Sequence, residues 1–205
     1  MVWLLSFLII SSASKDSLAR HYLEIGDPQK AEEFSNEIKD NFLLGEIAYF
    51  SHKFDEATKF YTQVPVNSLD ANDAIFRIIL IKENSGEVLQ DYVTAELLGR
   101  QEKLVEGISI LKKLHETTSP IAPYASMLLA EFWQQKEEPE KALEEYQRFI
   151  NKFTKNENLP QVLLRMGEIY TTLGKPKKAS EVYREILLKY PKSCVAPIAR
   201  ERMER

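Results

Sequence analysis

The chain has 205 residues, 44% of them hydrophobic and 28% charged, with a formal net charge of −4. Such a composition can bury a core and excludes wholesale disorder, and its mildly acidic balance offers no electrostatic pull toward nucleic acid. The one cysteine, Cys194, excludes an internal disulfide and a cysteine zinc site, so this thiol is expected as a small, partly buried side chain.

Met1 to Ile10 reads MVWLLSFLII, apolar except for Ser6, and Ser11-Ser12-Ala13-Ser14 follows. A run of about ten is too short to span a bilayer, which needs about 20. It has the form of a secretory hydrophobic region with small residues for cleavage after Ala13 or Ser14, although it lacks a basic start. Residues 1–14 are therefore expected as a signal peptide and 15–205 as the mature helical domain. The competing reading, the tail of an earlier helix, fits poorly: a 34-residue period projected backwards puts Leu5 to Ile10 on a loop that should be polar. No cysteine follows the run, so lipid attachment there is excluded.

From residue 15 onward the apolar residues recur at helical spacing, and small residues recur twelve positions apart: Ala19/Ala31, Gly45/Ala57, Ala95/Gly107, Ala130/Ala142 and Gly167/Ala179. Turn residues sit between members of a pair, as in Gly26-Asp27-Pro28, Glu137-Glu138-Pro139 and Gly174-Lys175-Pro176. Small residues at matched places on two adjoining helices let them approach closely, which marks repeated antiparallel helix pairs. The short step between the first two pairs predicts a shortened connection, with Ile38 ending one helix just before the next starts. The long step to the third leaves a surplus around 65–90, which DANDAIFRIILIKEN (70–84) fills as one extra helix. Pro191 ends the last paired helix, and a closing helix is expected over about 193–204. The fold expected is all-α: a helix-turn-helix repeat solenoid of about five pairs, wound as a right-handed superhelix, with the extra helix and a C-terminal cap.

In its residues the chain resembles the tetratricopeptide repeat family. Over 160–193, Leu163, Met166, Gly167 and Tyr170 match the first helix of that repeat, and Ala179, Tyr183 and Pro191 match the second. Residues 123–154 match through Leu129, Ala130, Trp133, Ala142 and Tyr146, and 38–64 through Leu44, Gly45, Ala57 and Tyr61. The copies at 15–38 and 88–115 are weaker, with Ser35 and Leu111 where an aromatic is expected. The ending LLKYPKSCVAPIARERMER is also similar to the closing helices of bacterial periplasmic repeat proteins. The resemblance implies a non-catalytic interaction scaffold, and with the apolar N-terminus a bacterial envelope location, periplasmic or secreted. If the N-terminal run is not a signal, the reading is a cytosolic assembly factor. A further alternative is an accessory segment of a larger repeat protein or enzyme.

Solenoid pairs present a concave groove lined by first helices. The residue after each first-helix small residue should face it: Arg20, Glu46, Glu96, Glu131 and Glu168. Four carboxylates one repeat apart suit Lys or Arg on a protein or peptide partner, with Tyr49, Phe50, Tyr92 and Tyr124 adding apolar contact. The competing readings are a solvated polar face and core packing. Repeats of this family that clamp a C-terminal carboxylate place Lys and Asn where Glu stands here, so that role is disfavoured. No cofactor or metal is expected. His21, His52 and His115 fall on different repeats, and there is no phosphate loop and no nucleophile elbow. His115, at a helix C-terminus, is expected to favour its charged form through the helix dipole. No stable transmembrane anchor is expected, and partner identity and oligomeric state are left open.

Overall fold

The computed structural model describes residues 14–204, so the expected signal peptide lies outside the described residues. Among those described there are twelve α-helices and no strand. They are α1 (Lys15–Glu24), α2 (Pro28–Glu32), α3 (Asn41–Phe50), α4 (Phe54–Tyr61), α5 (Ala71–Glu83), α6 (Glu87–Arg100), α7 (Leu104–Glu116), α8 (Ala122–Gln135), α9 (Pro139–Lys152), α10 (Leu159–Thr172), α11 (Pro176–Lys189) and α12 (Ala196–Glu204). None is long and apolar enough to cross a membrane. Consecutive helices pack as pairs: α1 on α2, α3 on α4, α8 on α9 and α10 on α11. The described residues divide into two compact units, 14–110 with 117–121, and 111–116 with 122–204.

Each pair is built on one rule of spacing. The residue seven places after the first-helix small residue has a left-handed backbone: Gly26, His52, Glu102, Glu137 and Gly174, with φ between 59° and 74°. The amide of the next residue then donates back to the carbonyl five residues earlier, closing the helix end. These bonds are Asp27 to Tyr22, Lys53 to Ala48, Lys103 to Leu98, Glu138 to Trp133 and Lys175 to Tyr170, all 2.8–2.9 Å. Pro28, Pro139 and Pro176 start the following helix where a missing N–H costs nothing. Only two of the five left-handed sites are glycine; the other three carry a side chain in a conformation that costs L-residues roughly 1–2 kcal/mol.

The small residues sit under aromatic rings. A Cβ on Gly45 would lie under 3.0 Å from the ring of Tyr61, and one on Gly167 would meet Tyr183 as closely. In both pairs the ring is sixteen residues on. Tyr146, at the same offset from Ala130, is fully buried too, as are Ala130 and Ala142. In the first pair Ser35 holds this place, and α2 lasts only five residues before a 3-10 turn at Ser35–Glu37. Ile38 then runs extended and buried, so the shortened connection is real, though a 3-10 turn and not a full helix precedes Ile38.

In the second unit α12 closes the array, burying Ala196 and Ala199 beside Ala179, Tyr183 and Ile186. Cys194, expected to be partly buried, is exposed. Its neighbours Val195 and Ala196 take the inward positions. His115 also departs from expectation. It is buried, its Nδ1 lies 2.6 Å from Ser126 Oγ, and Lys152 Nζ donates to its carbonyl oxygen. Burial, with the Lys152 charge beside it, lowers its pKa against Glu116 and Glu145, so the neutral imidazole prevails over the helix dipole.

Gly167→Ala should destabilise the fold by about 1–3 kcal/mol through the clash with Tyr183. Glu137→Gly should instead stabilise it, by about 0.5–1 kcal/mol, because relief of the left-handed strain exceeds the entropy glycine adds to the unfolded chain. Urea titrations of both variants against the parent would show the opposite signs. Because His115 takes its proton later in the folded chain than in the unfolded one, stability falls as pH drops below about 7 through the ordinary histidine range. His115→Gln should make that fall shallower, read as urea midpoints at pH 7.5 and 5.5.

Candidate functional site

In the first unit the residues following the small positions are brought together. Arg20 and Glu46 line one cleft of about 140 Å³ with Leu23, Glu24, Phe42, Leu43 and Arg100. Arg20 is paired with Asp40, which also caps α3 by accepting from the Phe42 and Leu43 amides. Glu46 and Glu96 are joined by Arg77 from the inserted helix α5. Its Nε donates to Glu46 Oε1 at 3.0 Å, and its Nη1 donates to both Glu96 oxygens at 3.1 Å. The guanidinium stacks over Tyr49, 4.1 Å from the ring centre. Arg100 stacks over Phe50 at the same distance, stands 3.8 Å from Glu46 Oε2, and donates to the Leu23 carbonyl at 2.8 Å.

Tyrosine hydroxyls hold both carboxylates from behind. Tyr61 donates to Glu46 at 2.6 Å and Tyr49 to Glu96 at 2.8 Å. Burial and the adjacent carboxylates push both phenols well above their ordinary pKa, so they remain donors. Burial works against the charge on Arg77, but Glu96 and Glu46 outweigh it and raise its pKa. Two of the expected groove carboxylates are therefore neutralised within the chain. Tyr49, Phe50 and Tyr92 are buried and contribute packing here, Tyr49 and Phe50 as the platform under two arginines.

Arg77 and Arg100 were not among the residues singled out in the sequence. Arg77 left a trace there: it is a lone cation inside IFRIILI, and a charge in so apolar a stretch of helix needs a buried counter-ion. Arg100 left none.

In the second unit the corresponding face is more open. Gln134, Glu137, Pro139, Glu168, Ile169 and Thr172 line a cleft of about 350 Å³. Arg165 Nη1 donates to Glu168 Oε2 at 3.3 Å, and both side chains remain a third or more exposed. Gln134 Nε2 donates to the Tyr146 hydroxyl at 3.0 Å. Burial raises the pKa of that hydroxyl, with Glu131 adding to the effect, so Glu131 belongs to the same neighbourhood. Tyr124, on α8, is half-buried. Among the described residues no group of three or more His, Cys, Asp or Glu could hold a metal ion.

Replacing Arg77 with Leu would leave the Glu96 carboxylate without its cation and Glu46 with Arg100 alone, at 3.8 Å, and should cost about 3–5 kcal/mol. Adding Glu46→Gln and Glu96→Gln to that variant should recover more than half of the loss. Thermal and urea unfolding of the single and triple variants would measure it.

The profile of the tetratricopeptide repeat family matches residues 161–193. No curated protein matches the chain by sequence. Among solved structures it is similar to YrrB, described as a TPR protein with an unusual peptide-binding site, with a TM-score of 0.48 and 13% identity over 86% of this chain and 81% of that one. It is similar to the TPR domain of P58(IPK), with a TM-score of 0.44 and 14% identity, covering 93% of this chain and 53% of that one. It is also similar to a MamA RS-1 double mutant, with a TM-score of 0.45 and 14% identity over 88% of this chain and 98% of that one. Residues 161–193 thus form a repeat of the tetratricopeptide type, set within an all-helical array of packed helix pairs.

Proposed function

We propose that this chain is a non-catalytic protein-interaction scaffold of a bacterial cell envelope, and that a basic segment of its partner lies in the cleft of the second unit. The observation that carries this reading is the partly exposed carboxylate of Glu168 beside Ile169 in a cleft of about 350 Å³, where it pairs with the half-exposed Arg165 of its own helix. Such a cleft offers a charge and an apolar wall to one extended segment. A partner's Lys or Arg could join or replace Arg165, gaining association rate from long-range attraction. Glu131, whose charge acts on the nearby Tyr146 hydroxyl, is the second carboxylate of this reading. Glu46 and Glu96 take no part, since Arg77 already satisfies them. The envelope location rests on the Met1–Ile10 run and the small residues after it.

Changing Glu131 and Glu168 together to Gln keeps size and helix propensity while removing charge. Binding to a partner co-purified from the native host should weaken about tenfold at low salt and lose most of its salt dependence. Equal affinity for parent and variant at low and moderate salt would overturn the cleft assignment. For the location, mass spectrometry of the native protein should find it starting at about Ser14 or Lys15. An intact Met1 in the soluble cytosol would overturn export.

A further inference from the structure

Large aliphatic side chains left in water are usually scattered singly over a surface. Here they are not. Val66 is 92% exposed, Leu69 99%, Ile75 51% and Ile79 43%, so four of the eight such residues among those described fall within fourteen positions. These positions are α5 and the loop leading into it, the segment outside the repeat register. One side of α5 is spoken for: Ala71, Ala74 and Leu80 are buried, and Arg77 holds the carboxylates. Ile75 and Ile79 stand one turn apart on the other side.

We propose that this outward face is a homodimer contact, in which two copies pair antiparallel through α5 about a two-fold axis. The four side chains offer roughly 350 Å² per copy, taking about 120 Å² for a fully exposed one. That gives roughly 700 Å² across the pair. The flanking Asn72, Phe76, Ile78, Lys82 and Glu83 bring it toward the ~1,200 Å² at the low end of specific interfaces, which suits a weak, reversible dimer. The charge pattern selects the orientation. Antiparallel pairing about an axis level with position 77 sets Ile75 against Ile79 and Asn72 against Lys82 on the outward face, so no like charges meet. Parallel pairing would set Lys82 and Glu83 each against its own copy, which is repulsive. A bilayer suits this face less well: Asp70, Asp73, Glu83 and Glu87 outnumber Lys82 around it, and an anionic surface would repel them.

Analytical ultracentrifugation of the full chain from about 5 to 200 μM tests this. The parent should pass from monomer to dimer across that range. Ile75→Glu with Ile79→Glu should stay monomeric throughout, its dissociation constant raised by at least about a hundredfold. Leu188→Glu removes a more exposed aliphatic residue (75%) from α11 and should dimerise like the parent. If the double variant loses helicity by circular dichroism, Leu69→Gln with Ile79→Gln takes its place and should also weaken the dimer. A parent that remains monomeric at 200 μM overturns the proposal, even if the face then proves necessary for capturing another protein. So does dimerisation untouched by the α5 variants, or abolished equally by Leu188→Glu.

Discussion

Everything in this chain hangs from a tight turn made five times over, in which one left-handed residue lets a helix end and its partner start two residues later. The turn sets the second helix antiparallel to the first and brings the residue twelve places on opposite the first small residue. The small pair then lets the helix backbones approach, and the aromatic ring sixteen places on covers the small residue. Geometry of this kind is over-determined locally, which is why His52, Glu102 and Glu137 can be held at positive φ where glycine would be easier. Where Ser35 replaces the ring the second helix is short, whereas with the buried Leu111 in that place α7 still runs thirteen residues.

The inserted helix shows how a repeat protein can use its own groove. Residues that repeat spacing directs toward the inner face include Glu46 and Glu96. Once α5 brings Arg77 between them, they become a buried ionic cluster backed by Tyr49 and Tyr61. Such a cluster is weak evidence for stability, since desolvation of three charges offsets much of their attraction. Its stronger consequence is positional: every donor of the Arg77 fork that reaches a carboxylate does so in one arrangement, so α5 has one place to sit.

The two units therefore treat equivalent glutamates differently. The first answers them with a buried arginine from an inserted helix. The second joins α9 to α10 through a loop of six residues with no helix in it, and Glu168 pairs with the half-exposed Arg165 of its own helix. The difference comes from an insertion and not from the repeats, whose helix pairs follow the same spacing in both units. The same insertion leaves an aliphatic face in water, so one departure from the register closes one surface and opens another.

The sequence by itself determined the helices, the pairing and the turns, because each depends on residues within about twenty positions: small residues at a spacing of twelve, a turn between them, a proline after it. Ser35 in place of an aromatic, and the surplus at 70–84, were legible for the same reason. Only the tertiary structure decided which groove carboxylates remain open to solvent. That depends on Arg77 reaching Glu46 across 31 positions and Glu96 across 19, and on Tyr49 reaching Glu96 across 47. It likewise decided that His115 stays neutral and that Cys194 faces solvent. A helix dipole or a side chain's average burial is a local expectation, whereas desolvation is set by whatever the rest of the fold packs around the group.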